Sequence, residues 1–132
     1  MGSTAERPDI TVVLVDDEPG VRLLTRLALE EDGGIEILGE AANGRSGVEL
    51  VTAMQPDVVL LDVQMPVLDG LAALPEIRTA SPGSQVVVVS GSDPDETADA
   101  AMAAGASAYL EKDRVTTDLV ALVRGLTAAH RS

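Results

Sequence analysis

Five short runs rich in apolar residues, each ending at or just before a polar side chain, constrain the fold of this chain more than any other feature. They cover residues 10–15, 35–40, 58–61, 85–90 and 107–110. A run such as Val58-Val59-Leu60-Leu61 is too short to cross a membrane and lacks polar alternation, so it predicts a strand buried on both faces of a parallel sheet. The second run alternates more, which favours an edge strand.

Between these runs, apolar residues recur at intervals of three and four, which predicts helices. In the first such segment Val21, Leu24 and Leu27 share a face that we expect to point inward, and the glycines at 33–34 end the helix. Pro75 stands inside the third segment. Because proline removes a backbone hydrogen bond, we expect a kink there or a helix whose regular part begins near it.

Strand and helix alternate five times with short connections, which predicts an α/β fold. We expect a doubly wound, five-stranded parallel sheet of the flavodoxin-like (βα)5 type, with right-handed crossovers and strand order 2-1-3-4-5. A chain of 132 residues forms one domain, which we place at residues 10–128 between an N-terminal tail at 1–9 and a C-terminal tail at 129–132. No output domain is expected in this chain.

The acidic composition excludes several classes of partner. The 22 acidic and 9 basic residues give a formal net charge of −13, which opposes binding to nucleic acid or to an anionic membrane. The absence of Cys excludes disulfides, thiolate metal sites and a Cys nucleophile. Residues 1–9 lack the apolar core of a signal peptide, and no apolar run approaches the ~20 residues of a membrane span. We therefore expect a soluble, cytoplasmic protein whose partners are proteins or cations.

Chemically active side chains follow four of the five strands. They are Asp16 and Asp17 after the first strand, Asp62 after the third, Ser90 at the end of the fourth and Lys112 after the fifth. The predicted strand order brings them to one crevice at the carboxyl edge of the sheet. Neighbouring carboxylates repel unless a cation neutralises them, and oxygen ligands without His or Cys favour Mg²⁺.

Such a site suits phosphoryl transfer. Asp62 would be a carboxylate nucleophile, with Mg²⁺ and the Lys112 ammonium spreading the charge of the transition state. Ser90 would bond a phosphoryl oxygen. Read one at a time, these residues have simpler interpretations: Asp16 and Asp17 as helix caps, Ser90 as a strand-end hydroxyl. Together they favour a site.

At these positions the chain resembles the receiver domain of two-component response regulators, over about residues 10 to 127. The resemblance rests on Val15-Asp16-Asp17-Glu18, Leu60-Leu61-Asp62-Val63-Gln64-Met65-Pro66 with Asp69-Gly70, Val89-Ser90-Gly91 and Gly105-Ala106-Ser107-Ala108-Tyr109-Leu110-Glu111-Lys112. Each motif alone is weak, but their order and their positions at strand ends make the set specific. Through Gly39-Glu40-Ala41-Ala42-Asn43-Gly44, the chain most resembles receivers that precede a helix-turn-helix output domain.

The resemblance implies that Asp62 accepts a phosphoryl group from a sensor histidine kinase. It also implies a Mg²⁺ site formed by Asp17, the Asp62 carboxylate and the backbone carbonyl of Gln64, with Asp16 assisting through water. Lys112 would contact the phosphoryl oxygens. The domain would promote only its own phosphorylation and dephosphorylation, so it is not expected to be an enzyme.

The same resemblance implies a switch. Ser90 would move toward the phosphoryl group and Tyr109 would turn inward, which would remodel the face made by the fourth helix, fifth strand and fifth helix. That face would control an output domain or a downstream protein, and a phosphorylation-linked homodimer is compatible with it. Direct binding of nucleic acid or membrane by this chain is not expected.

The sequence departs from the family at Asp113, where a proline in a cis peptide usually follows the lysine. Since a non-proline cis bond costs ~3 kcal/mol, we expect either a trans peptide or a strained one.

Three other functions are alternatives for such a site. Gln64 argues against a haloacid dehalogenase-type phosphatase, which needs an Asp there, and carboxylates after the first strand argue against an FMN carrier. The strongest alternative is a phosphorylation-independent pseudo-receiver that only binds a protein partner.

Overall fold

The computed structural model describes residues 10–62, 70–91 and 94–131. The strands are β1 (Ile10–Val15), β2 (Ile35–Ala41), β3 (Val58–Asp62), β4 (Gln85–Ser90) and β5 (Ala108–Glu111). The helices are α1 (Pro19–Glu30), α2 (Gly44–Met54), α3 (Gly70–Ala80), α4 (Pro94–Ala103) and α5 (Val115–Arg131), with a 3₁₀ turn at Lys112–Arg114. Every strand lies within one residue of its predicted bounds, and α5 includes residues 129–131 of the predicted tail.

The five strands form one parallel sheet in the order β2-β1-β3-β4-β5, as predicted. The register brings the strand ends level. Val15 pairs with Leu61, and Asp62 pairs with Val89, the residue before Ser90. The acids after β1, the last residue of β3 and the last residue of β4 therefore meet at the carboxyl edge of the sheet.

The central strands are apolar except near their ends, because both faces of the sheet are covered. On one face Val13, Val59 and Val88 pack against α2, α3 and α4; on the other, alternate residues such as Leu14 and Leu60 pack against α1 and α5. Each of these side chains is 4% exposed or less. Burial on two faces leaves no position for a polar residue until the strand ends, which explains why the strand ends carry the chemistry.

The predicted inward face of α1 is wrong. Leu24 and Leu27 are 53% and 52% exposed, whereas the buried residues of the helix are Thr25 and Leu29. On hydrophobicity alone Thr is a polar residue, so the spacing of Val and Leu indicated the wrong face of the helix as the buried one. The Thr25 hydroxyl donates to the carbonyl oxygen of Val21 at 2.8 Å, so a threonine can be buried there without leaving its hydroxyl unsatisfied.

Two helices carry features that position them on the sheet. Gly47 of α2 lies so close to β1 that a Cβ atom on it would sit 2.7 Å from Cγ1 of Val15. Helix α3 continues from Gly70 to Ala80 through Pro75, so the helix does not begin near the proline. Arg124 of α5 forms an ion pair with Asp32, which follows α1, and this pair ties the last helix to the first.

Among the described residues, no helix combines the length and the apolar character that crossing a membrane requires.

Candidate functional site

Asp62 is the centre of the candidate site. It is the last residue of β3, between β1 and β4, and only 1% of it is exposed. A carboxylate in this position has apolar strands on both sides and opens only toward the carboxyl edge of the sheet. That edge is where ligands bind in open α/β folds.

Three further carboxylates come from the segment after β1. Asp16, Asp17 and Glu18 each offer one oxygen, and these oxygens and one from Asp62 all lie within 4.8 Å of one another. Asp16 is buried, Asp17 is half-buried and Glu18 is exposed. The sequence predicted that Asp16, Asp17 and Asp62 would meet, and the structure confirms that they do.

The backbone around Asp16 is held from two sides. Its N–H donates to the carbonyl oxygen of Ala41 at 2.9 Å, which extends the pairing of β1 with β2 by one residue. Its Oδ1 accepts a 2.8 Å hydrogen bond from the N–H of Glu18. Arg22 of α1 donates from Nη1 to the Asp16 carbonyl oxygen at 2.7 Å. Arg22 is not predicted as a site residue, because nothing in its local sequence pattern distinguishes it from an ordinary surface arginine.

The electrostatics of the cluster favour a cation. Burial raises the pKa of Asp16 to about 6, the charge of Asp62 adds to the rise, and the hydrogen bond from the Glu18 N–H partly opposes it. An ionised Asp16 therefore costs free energy at neutral pH unless positive charge is supplied. The donor set consists of carboxylate oxygens without His or Cys, which fits Mg²⁺.

Lys112 supplies one positive charge from the opposite side of the site. Its Nζ lies 2.7 Å from Oε1 of Glu18 and 3.4 Å from Oδ2 of Asp62. Burial lowers the pKa of Lys112, but the hydrogen bond to Glu18 and the charge of Asp62 outweigh it, so the net pKa lies above the ordinary value. The peptide bond to Asp113 is trans, and Lys112 reaches the site from the first position of the 3₁₀ turn.

The contact between Glu18 and Lys112 is not predicted from the sequence. Glu18 belongs to one of the motifs that carry the resemblance but is not among the predicted site residues. The available signal was that three consecutive acids follow β1 at the level of Asp62. Which of the three would face the lysine depends on side-chain directions in an irregular loop, and these have no sequence periodicity.

The two predicted switch residues lie at the same end of the sheet. Ser90 ends β4 and is 1% exposed. Tyr109 of β5 pairs with Val88 and is half-buried, and its hydroxyl is buried with no hydrogen-bond partner among the described residues. Gln64, whose carbonyl the resemblance assigns to Mg²⁺, lies outside the described residues.

The chain is similar to known proteins in sequence and in fold. Residues 12–124 match the family described as the response regulator receiver domain. The nitrate/nitrite response regulator protein NarL of Escherichia coli K12 is 37% identical over 110 residues, which cover 83% of this chain and 51% of NarL. This chain therefore spans about half the length of that relative.

Two solved structures have the same fold. A LuxR-family two-component response regulator from Aurantimonas sp. SI85-9A1 superimposes with a TM-score of 0.85 at 28% identity, covering 91% of this chain and 86% of that one. The signal receiver domain of the putative response regulator NarL from Mycobacterium tuberculosis superimposes with a TM-score of 0.80 at 30% identity, covering 89% and 98%.

Proposed function

The chain belongs to the response regulator receiver domain family, and we propose that it works by accepting a phosphoryl group on Asp62 from a sensor histidine kinase. One observation carries the proposal: a carboxylate that is 1% exposed ends the central strand of the sheet, beside three other acids and one lysine. Receiver domains of this family work with histidine kinases and output domains, which gives the reaction its donor and its purpose.

The reaction is a displacement at phosphorus. An Asp62 carboxylate oxygen forms the new O–P bond, the N–P bond of the donor phosphohistidine breaks, and its electron pair stays on the imidazole nitrogen. No oxidant or further reactant is needed. The low exposure of Asp62 keeps bulk water away from one side of the reacting oxygen.

The surrounding residues have separate roles. Asp16, Asp17 and Asp62 would hold Mg²⁺, which supplies positive charge to the oxygens of the phosphoryl group. Lys112 stabilises the same oxygens from the other side, since its ammonium lies 3.4 Å from the Asp62 carboxylate. Ser90, one residue past the register partner of Asp62, donates its hydroxyl to a phosphoryl oxygen. The chain acts on its own aspartate and turns over no separate substrate.

The face made by α4, β5 and α5 would communicate the phosphorylation state of Asp62 to a partner. Among the described side chains of α4 the buried residue is Ala101, while Met102 is 50% exposed. A helix with small buried residues is weakly attached, which suits an element that shifts when the charge at Asp62 changes. The partner of this face would be an output domain, a downstream protein or a second copy of the receiver.

The proposal is tested by intact-mass measurement after incubation with phosphoramidate and Mg²⁺. The expected result is a gain of one phosphoryl group that requires Mg²⁺ and is absent from Asp62→Asn. A folded protein that gains no mass, and whose melting temperature Mg²⁺ does not raise, would instead be a phosphorylation-independent interaction module.

A further inference from the structure

The ammonium group of Lys112 has two carboxylate partners, and the nearer one is not the proposed phosphoacceptor. Its Nζ lies 2.7 Å from Glu18 and 3.4 Å from Asp62. The first distance is that of a strong charge-assisted hydrogen bond, and the second is at the long limit of one. In this state the lysine is held mainly by Glu18.

The two contacts differ in their surroundings. The Glu18 side chain is 57% exposed, whereas that of Asp62 is 0% exposed, and the Lys112 side chain between them is 18% exposed. A partly exposed ion pair is worth little to stability, so the Glu18 contact is easily broken when a stronger partner appears. A phosphoryl group on Asp62 is such a partner, since it brings more negative charge than the carboxylate it replaces.

We propose that Glu18 is a positioning residue that holds the Lys112 ammonium away from Asp62 before phosphoryl transfer and must release it as the reaction proceeds. This inference rests on the proposed function. The two residues come from opposite sides of the site, Glu18 from the segment after β1 and Lys112 from the residue after β5, and β3 with Asp62 lies between these strands in the sheet. Releasing the contact adds to the barrier, and Glu18 thereby slows phosphorylation.

The experiment compares the rates at which phosphoramidate phosphorylates four proteins at saturating Mg²⁺: the wild type, Glu18→Gln, Lys112→Ala and the double variant. Glu18→Gln should raise the maximal rate by up to about fivefold, the upper end of the range expected for loss of a partly exposed ion pair. The rise should disappear when Lys112 is already Ala. Glu49→Gln, which makes the same charge change at an exposed position of α2, should leave the rate unchanged.

Several results would overturn the inference. An unchanged or lower rate in Glu18→Gln would show that the contact does not restrain the lysine. An equal rise in the Lys112→Ala background would show that Glu18 acts through its charge alone, and a loss of Mg²⁺ affinity with no gain in maximal rate would make it a metal ligand instead.

A crystal structure of Glu18→Gln tests the same point without phosphorylation. The Lys112 Nζ should move to within about 3 Å of Asp62, the usual length of such a pair. An Nζ that stays at its present distance would contradict the inference whatever the kinetics show. If the wild type takes no phosphoryl group but the lysine does move, the proposed function fails while the restraint by Glu18 stands.

Discussion

The Arg22 guanidinium donates a 2.7 Å hydrogen bond from Nη1 to the backbone carbonyl oxygen of Asp16, and its Nε lies 3.1 Å from Oε1 of Glu40. Arg22 of helix α1 therefore supports the backbone of the acidic segment, and Glu40 of β2 holds the Arg22 side chain in place. This contact links the packing of the first helix to the geometry of the proposed metal site.

Arg22→Ala should weaken Mg²⁺ binding about threefold to tenfold, because the Asp16 carbonyl loses a charge-assisted hydrogen bond and the acidic segment becomes less ordered. Arg26→Ala is the matched control. Arg26 also pairs with Glu40, but no hydrogen bond joins it to Asp16 among the described contacts. Titration of Mg²⁺ by calorimetry on both variants would measure the difference. Equal losses of Mg²⁺ affinity in the two variants would show that the ion pairs with Glu40, rather than the contact with Asp16, support Mg²⁺ binding.

Asp16→Asn should stabilise the protein at pH 7.5 without Mg²⁺. The Asp16 pKa is about 6 in the folded protein against 3.8 in the unfolded chain. The favourable contribution of Asp16 to the unfolding free energy is therefore complete below pH 3.8 and lost as the pH rises through about 6. The gain in unfolding free energy should reach up to about 3 kcal/mol above pH 6. It should shrink toward zero near pH 4. Asn can still accept the hydrogen bond from the Glu18 N–H.

Urea denaturation of both proteins in EDTA at several pH values checks this expectation. Saturating Mg²⁺ should remove the advantage of the variant, because the cation binds the folded wild type more tightly. A variant that is less stable than the wild type in EDTA at pH 7.5 would mean that burying ionised Asp16 does not destabilise the folded protein.

A pair of glycine substitutions tests how closely α2 packs on the sheet. Gly47→Ala places a Cβ 2.7 Å from Cγ1 of Val15, which is fully buried, so it should lower the unfolding free energy by about 1–3 kcal/mol. Gly125→Ala adds the same methyl group to an exposed position of α5 with no atom within 4 Å, and should raise it by about 0.5–1 kcal/mol. Thermal or chemical denaturation would show that the unfolding free energy falls in the first variant and rises in the second.

Tyr109→Phe should stabilise the folded protein. The Tyr109 hydroxyl is buried with no hydrogen-bond partner among the described residues, so its removal relieves an unsatisfied group and should raise the unfolding free energy by about 1 kcal/mol. Ser84→Ala is the contrasting change, because the buried Ser84 hydroxyl bonds the Pro56 carbonyl and lies 2.6 Å from the Ser81 hydroxyl. That variant should lose about 1–3 kcal/mol. A comparable loss in Tyr109→Phe would reveal a partner for the phenol.

The parts of the fold that repeat along the chain could be predicted. Each apolar run became a strand within one residue of its predicted bounds. For the central strands the reason is that burial on both faces of a parallel sheet favours continuous apolar residues. The more alternating pattern of β2 is that of an edge strand. The convergence of Asp16, Asp17 and Asp62 followed from the strand order. The phase of α1 could not be predicted in the same way, since Thr25 is buried by means of a local hydrogen bond that hydrophobicity does not register.

By itself the sequence determined the parallel sheet, its strand order and the group of residues at its carboxyl edge. The reason is that strand periodicity and crossover handedness follow local rules, and these rules fix which side chains share an edge of the sheet. Only the tertiary structure decided which of these residues touch. The pairing of Lys112 with Glu18 rather than mainly with Asp62, and the support of Asp16 by Arg22, depend on side-chain directions in irregular segments. Those directions are set by packing between residues far apart in the chain, which no local pattern encodes.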